Sequence, residues 1–469
     1  MNIGRVLAPS FPVRTFAQRK NSWEYLALIA IVALSRIPFL NAGYGVNIDA
    51  WRVARVAQHI ALTGIYEGSR FPGYPLQEIV CSWFWRGGAL ALNGMSALFG
   101  VAAAVAFTAC ARRLKCRDAF LAGLAFAMTP VVFINSVTSK DYVWAIAFVL
   151  GSLLCALSRQ SLLAGALLGL AVGCRITSGA MLLPVGLILI GEMEREERGR
   201  AVLQFVLSML LVSALVFLPV WCRYGFGFFT FYENHARPTP EMVLSRATLE
   251  VWGSLGVAGL AAVSAGAFFR NTETTERSLP KSANRFVVPA LALMICIYLA
   301  AYLRLPDQAG YLIPIIAAVL LLSSRLAPRI CFQFLCGCLL LAPFIEVSVH
   351  GVRAGAIFAD RTERLQTMQN IRNFLGFAET LPQKSVIVVG GWEPQISVMM
   401  SGGPELRNRY AYLLTVPDAT TLAANGVPLF YLPMIREFNL RVTKADLTQY
   451  GARDLHQLFE TKRREHAMP

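Results

Sequence analysis

From Glu24 to Ile345, long apolar stretches alternate with short polar segments, the pattern of helices that are hydrophobic all round. Spans are predicted near residues 24–41, 88–110, 119–136, 142–157, 161–173, 176–191, 201–221, 248–269, 286–303, 309–324 and 329–347. A straight helix needs about 20 residues to cross a bilayer. The segments 161–173 and 176–191 fall short of that, so 161–191 also reads as one tilted helix broken at Gly173-Cys174-Arg175.

The basic residues between the runs separate these readings. With two spans, the inner loops after Ile190 hold nine (Arg195, Arg198, Arg200, Arg270, Arg277, Lys281, Arg285, Arg325, Arg329) and the outer loops four (Arg223, Arg237, Arg246, Arg304). A single span reverses that ratio, against the excess of basic residues on the cytoplasmic side. The expectation is therefore a mainly α, multi-pass protein of about eleven transmembrane helices in the plasma (inner) membrane. Its N-terminus is cytoplasmic, and its outer segments are 42–87, 222–247 and everything from 348 on.

The pattern changes after the last run. Of the 119 residues from Gly351 to Pro469, 25 are charged, close to soluble composition. The expected division is a membrane domain over 1–347 and a small extracytoplasmic α/β domain over 348–469. That domain is predicted to hold an amphipathic helix at 361–378 and strands at Lys384–Val389, Arg409–Val416 and Leu429–Leu432. Gly390-Gly391 follows the first strand without a full GxGxxG, so no nucleotide site is read there. No internal repeat of the inverted-transporter kind is visible.

Composition agrees with the pattern. Hydrophobic residues make up 56% and charged residues 15%, against roughly 45–50% and 25% in soluble domains. Mean hydropathy is +0.52. Disordered, collagen-like and ordinary cytosolic chains are excluded. The net charge of +15 lies in short clusters between apolar runs, without a basic stripe interleaved with aromatics, which argues against nucleic acid. The ten cysteines, all between Cys81 and Cys338, lack ligand spacing and read as small apolar helix residues. Arg5, Arg14, Arg19 and Lys20 precede a first run that lacks a small-residue cleavage site, so a retained span is expected.

Candidate chemistry concentrates in the first outer loop. Residues 49–62 have helical apolar spacing and predict a helix lying along the membrane surface. Asp49 and Arg52 are three apart and share a face. Arg52, Arg55, Arg70 and Arg86 lie on the side where basic residues are scarce. Such a cluster beside a carboxylate suits a phosphate-bearing substrate, because guanidinium pairs with phosphate in a bidentate fork. Further candidates are Asp141 beside Lys140, Tyr142 and Trp144, and Arg175 between two short runs, where an arginine at bilayer depth points to function. Arg304 precedes Leu305–Pro314, and Glu233 and His235 sit in an aromatic-rich outer loop. Glu67 and Glu78 flank the RFPGYPL turn and read as solvated loop acids, the alternative for either being to orient Arg70 or to touch a metal. His59 reads as an interfacial residue and Asp307 as a turn residue.

Asp49-Ala50-Trp51-Arg52, followed by Arg70-Phe71-Pro72-Gly73-Tyr74-Pro75-Leu76, resembles the first-loop signature of GT-C glycosyltransferases. The resemblance is to the branch of protein mannosyltransferases and lipid A aminoarabinose transferases. Thr138–Asp141 and Leu305–Pro314 resemble that branch in order and sidedness. The usual pattern is Asp-Glu-x-Arg, then Glu-Lys-Pro-Pro-Leu. Here Ala50 replaces the second acid, which puts a paired-carboxylate metal site in doubt, and Arg70 stands in for the lysine. The motif carries over at Asp49, Arg52, Pro75, Leu76 and Tyr311.

The resemblance implies transfer of a sugar from a polyprenyl-phosphate carrier to a lipid, glycan or protein hydroxyl on the outer face, with inversion. Asp49 and Asp141 would be the catalytic acids, and Arg52, Arg70, Arg304 and Tyr311 would bind the donor phosphate. Glu78, Arg175, Glu233 and His235 would be accessory. The resemblance fixes no cofactor and leaves a divalent metal open. Two alternatives stand beside it: a transporter or flippase for a lipid-linked or anionic substrate, which would use the same outer arginines without breaking a bond, and a polysaccharide polymerase or ligase, which shares the lipid-phosphate logic but transfers whole glycan chains.

Overall fold

The computed structural model describes residues 16–227, 238–270, 281–348, 351–381, 385–389, 392–400, 410–411, 416–431 and 453–454. The first helix, α1 (Phe16–Arg36), leads into a loop from which α2 (Ile48–Thr63) and α3 (Pro75–Phe84) rise. The Asn47 side chain caps α2 by accepting from the Asp49 amide, and Pro75 starts α3 at a position where a missing N–H is harmless. Next come α4 (Gly88–Arg113), α5 (Ala119–Met128), α6 (Pro130–Asn135), α7 (Tyr142–Ala156), α8 (Ser161–Cys174), α9 (Leu182–Glu192) and α10 (Arg198–Tyr224). Pro130 separates α5 from α6, forcing Thr129 to extended geometry (φ −55°, ψ 130°). After α11 (Pro240–Ser245) the bundle closes with α12 (Val251–Arg270), α13 (Lys281–Arg304), α14 (Ile313–Leu326) and α15 (Arg329–Leu341).

Among the described residues, six helical stretches are long and apolar enough to cross a membrane, and five more apolar helical stretches are shorter. The segment 161–191 is broken, as the Gly-Cys-Arg sequence allows. Arg175 is extended (φ −154°, ψ 117°), and a 3-10 turn at Ile176–Met181 separates α8 from α9. The ion pairs give the direction of each piece. Arg175 meets Asp141 at the start of α7, while Glu194, just past α9, lies 4.0 Å from Arg159, just past α7. Thus α7, α8 and α9 each run between the same two ends of the bundle.

Packing of α8 on α10 depends on a stripe of small residues at Gly165, Gly169 and Gly173. A Cβ on Gly165 would sit 2.2 Å from the Phe205 carbonyl oxygen, and one on Gly173 would sit 2.3 Å from Val216 Cγ1. Close backbone approach of this kind lets apolar helices associate without a hydrophobic driving force.

Beyond the bundle, an antiparallel hairpin, β1 (Ile345–Ser348) and β2 (Gly351–Ala354), leads into α16 (Ala356–Glu379). This helix begins five residues earlier than its apolar spacing predicts. Next are β3 (Val386–Val388), α17 (Glu393–Met399), β4 (Tyr410–Ala411), α18 (Val416–Ala424), β5 (Leu429–Tyr431) and β6 (Arg453–Asp454). The short strands form a parallel sheet in the order β4-β3-β5-β6. The strand expected over 409–416 is described only at Tyr410–Ala411, and α18 starts at Val416, where a proline at the second position suits a helix start. One hydrophobic cluster joins this region to the first loop, with Trp51, Val53, Ala54 and Cys81 packed among Ile371, Ala378, Ile387 and Phe430.

Candidate active site

Five charged side chains alternate in sign along one connected chain. Asp49, in the first turn of α2, takes Arg52 on Oδ1 at 3.3 Å and Arg70 on Oδ2. The other Nη of Arg70 reaches Asp141 Oδ1 at 2.6 Å, and Asp141 Oδ2 takes Arg175. The order is Arg52–Asp49–Arg70–Asp141–Arg175. Asp141 is fully buried, Asp49 nearly so, and only Arg52 is about one-third exposed, at 33%. Buried charges persist when each is paired and hydrogen-bonded, which the alternation achieves.

A neutral residue ties this chain to the rest of the site. Gln308 Nε2 donates to Asp49 Oδ2 at 2.7 Å, and its Oε1 accepts from Tyr142 OH at 2.7 Å and Lys140 Nζ at 3.2 Å. Burial pushes the Lys140 ammonium down to about 8, with Asp49 acting in the opposite sense. For Asp49, burial favours the neutral acid, but Arg70, Lys140, the Gln308 hydrogen bond and Arg52 outweigh it. The carboxyl is held below its ordinary value and is ionised at neutral pH.

The turn that delivers Arg70 is held from behind by Glu78, which the sequence presents as a solvated loop acid. Glu78 is instead fully buried and accepts from Tyr66 OH at 2.6 Å, the Ser69 amide at 2.7 Å and the Tyr74 amide at 3.1 Å. It does not touch Arg70. It fixes the backbone on both sides of Arg70, and the Tyr74 ring lies 4.4 Å from the guanidinium. Arg70 Nε remains buried without an acceptor.

Beside the charge chain opens a cavity of about 560 Å³ whose walls include Tyr142, Arg175, Tyr298, Arg304, Asp307 and Tyr311. Arg175 lies over the rings of Tyr142 at 4.2 Å and Tyr311 at 4.9 Å, in cation–π geometry. The Leu305–Pro306 stretch is held by Arg246, which donates to the Pro306 carbonyl at 2.7 Å. Arg52, Arg70, Lys140 and Arg175 exceed Asp49 and Asp141 by two positive charges, so the site attracts an anion.

Of the candidate residues, Asp49, Arg52, Arg70, Asp141 and Arg175 are joined directly, and Tyr311 packs on Arg175. Arg304 lines the cavity at its exposed side and is outside the ion-pair chain. His59 and Arg55 belong to a separate surface cluster around Glu67, at 3.7 and 2.6 Å. Glu233 and His235 lie outside the described residues. Sequence reasoning missed Gln308, Lys140, Tyr142 and Tyr74 as site residues. Three of them stand within or next to the TSKD and LPDQAGYLIP segments, and that adjacency was the available signal.

A divalent cation fits poorly. The position between the two carboxylates is taken by the Arg70 guanidinium, and among the described residues no three His, Cys, Asp or Glu side chains converge.

No family model and no curated protein matches the sequence. Among solved structures, the chain is similar to ArnT from Cupriavidus metallidurans in the apo state, at TM-score 0.58 and 13% identity, over 87% of this chain and 90% of that one. It also aligns with the Archaeoglobus fulgidus oligosaccharyltransferase tethered to an acceptor peptide, at TM-score 0.45 and 14% identity, over 88% and 66% of the two chains. The likeness to ArnT is one of fold.

Proposed function

We propose that this chain, which has the GT-C fold, is a membrane glycosyltransferase that moves a sugar from a polyprenyl-phosphate carrier to an acceptor hydroxyl of a lipid, glycan or protein. The observation that carries the reading is the alternating charge chain at the wall of an arginine- and tyrosine-lined cavity. A site built to bind an anion and expel it as a better-stabilised anion needs fixed cations where negative charge grows. Arg175, Arg70 through its free Nε, and Arg304 supply them, with the Tyr311 ring packed against Arg175.

The donor phosphate sits against Arg175 and Arg304, with the prenyl chain leaving between helices. The acceptor hydroxyl approaches Asp49 Oδ1, whose 3.3 Å contact to the one-third exposed Arg52 is the loosest in the chain. The hydroxyl proton passes to Asp49 as the acceptor oxygen bonds the anomeric carbon from the face opposite phosphate. The bond from that carbon to the phosphate oxygen breaks, its electron pair leaves with polyprenyl phosphate, and the sugar is inverted. Asp141 receives no proton; it holds Arg70 and Arg175 in register. The site end of the bundle is the extracytoplasmic side, with the N-terminus in the cytoplasm and residues 348–469 outside.

The experiment is to incubate purified protein with a panel of polyprenyl-phosphate sugars and follow release of polyprenyl phosphate. Release from at least one donor, dependent on added acceptor, is expected. No release from any donor, with substrate accumulating across a proteoliposome membrane, would replace the transferase by a transporter.

A further inference from the structure

The helix after the hairpin, α16, buries a charged face. Ile357, Asp360, Arg364 and Ile371 are all buried, at spacings of three, four and seven residues that place them on one side. Ile357 packs with Phe39, Phe133 and Val137 of the bundle. Arg364 is 1% exposed, ion-paired with Asp360 at 2.8 Å, and its Nη1 donates to two backbone carbonyls: Gly43 at 3.1 Å and Val137 at 3.0 Å.

Those carbonyls belong to the two segments that deliver the site's carboxylates. Gly43 stands six residues before Asp49, and Val137 four before Asp141. The same segments are stitched further. Asn93 Nδ2 donates to the Gly43 carbonyl at 2.9 Å, Ser139 Oγ donates to Asn93 Oδ1 at 2.7 Å, and the Ser139 amide donates to the Tyr44 carbonyl at 3.0 Å. A buried guanidinium is unfavourable unless its hydrogen bonds repay desolvation, and an apolar side chain would complete this face of α16 more simply. What Arg364 adds is a bond across two loops.

We propose that Arg364 is a positioning residue. Through it α16 sets the separation of Asp49 and Asp141, and so the fit of the Arg70 bridge between them. This rests on the transferase reading for its kinetic consequence, but its geometric part stands without it. The bridge requires both carboxylates within hydrogen-bond reach of one guanidinium, and a displacement of about 1 Å at such a site costs on the order of 10²-fold in rate. Arg364 is not among the residues that line the donor cavity, and its bonds go to the Gly43 and Val137 carbonyls, so its loss is expected to act on turnover more than on donor binding.

The test uses the full chain with Arg364→Met, Arg364→Lys and Arg364→Ala. In Arg364→Met, kcat is expected to fall about 10- to 100-fold with donor KM within about threefold. Arg364→Lys, which keeps the charge and can reach one carbonyl, falls between. Free guanidinium at millimolar concentration partly restores Arg364→Ala, which an indirect packing defect would not allow. Hydrogen exchange gives a readout independent of activity: the Ser139 amide is expected to exchange at least tenfold faster in Arg364→Met, with amides in the middle of α8 unchanged. Should Arg364→Met fail to fold, Arg364→Lys carries both measurements. Unchanged exchange at Ser139 in a folded variant overturns the proposal whatever the protein transfers. Faster exchange with wild-type kcat confines Arg364 to a structural role and also overturns it. Absence of turnover in wild type, with the exchange result as expected, would locate the failure in the transferase reading.

Discussion

The two ends of the bundle use the same residue types to different effect. At one end Arg329 pairs with Asp118 at 2.8 Å, Arg159 with Glu194 at 4.0 Å, and Arg112 with Glu24, each pair separate and at least partly in contact with solvent. At the other, Arg52, Asp49, Arg70, Asp141 and Arg175 form one continuous chain, mostly out of contact with solvent. Separate exposed pairs contribute little, because water screens them and two long side chains must be ordered. In the buried chain, removing one member leaves its neighbours charged and unpaired. The first end carries isolated surface pairs; the second holds its charges in one fixed geometry.

Arg70→Met should give the largest effect, since it strips both Asp49 and Asp141 of their shared cation. Loss of one partner from a buried ion pair costs about 3–5 kcal/mol. The variant should show a clearly lowered melting temperature in detergent and no measurable turnover, while Arg70→Lys should recover stability better than activity because it lacks the fork. A melting temperature like wild type for Arg70→Met would mean that the chain does not act as a unit.

Lys140 should give an intermediate effect that splits by pH. Its folded value near 8 lies below its ordinary 10.5, so between those values the unfolded chain holds more protons than the folded one. Stability should therefore rise as pH increases from about 8 toward 10.5. Donor affinity should move in the opposite direction over the same onset, as the site loses a positive charge. Lys140→Gln should flatten both curves. If stability and affinity rose together, Lys140 would not face the donor site.

The smallest effect belongs to the other end. Arg329→Ala removes the Asp118 pair at an exposed position, and turnover should stay within about twofold of wild type. A tenfold loss would tie the two ends together and dissolve the contrast between them.

Much of this arrangement was legible in the sequence. Apolar runs placed the helices, the Gly-Cys-Arg break separated α8 from α9, and the spacing of Asp49 and Arg52 gave their contact directly. Local rules reached that far because each feature is decided within one or two helical turns. Gln308 was not legible as a hub: it is neutral and lies 259 residues from Asp49, so neither charge nor spacing marks it. Glu78 was misread because an acid beside a Gly/Pro turn is ordinarily solvated, and only tertiary packing turns three donors onto it. Arg364 escaped for a related reason. Amphipathic spacing assigns charged residues to the solvent side, and this helix buries two of them against the bundle.

On the proposed mechanism, Asp49 accepts the acceptor's proton while the arginines hold the donor phosphate. Asp49→Asn, measured by single-turnover release of polyprenyl phosphate alongside donor affinity, addresses it most directly. The substitution keeps shape and one acceptor oxygen for Arg70 and Gln308, gives up the acceptor that faces Arg52, removes proton acceptance and lowers the negative charge beside both arginines. Donor should bind as tightly as in wild type or more tightly, while the single-turnover rate falls by about 10²–10⁴, the range of a general base. A near-wild-type rate with donor bound would contradict the assignment of Asp49 and leave the charge chain as a binding device only.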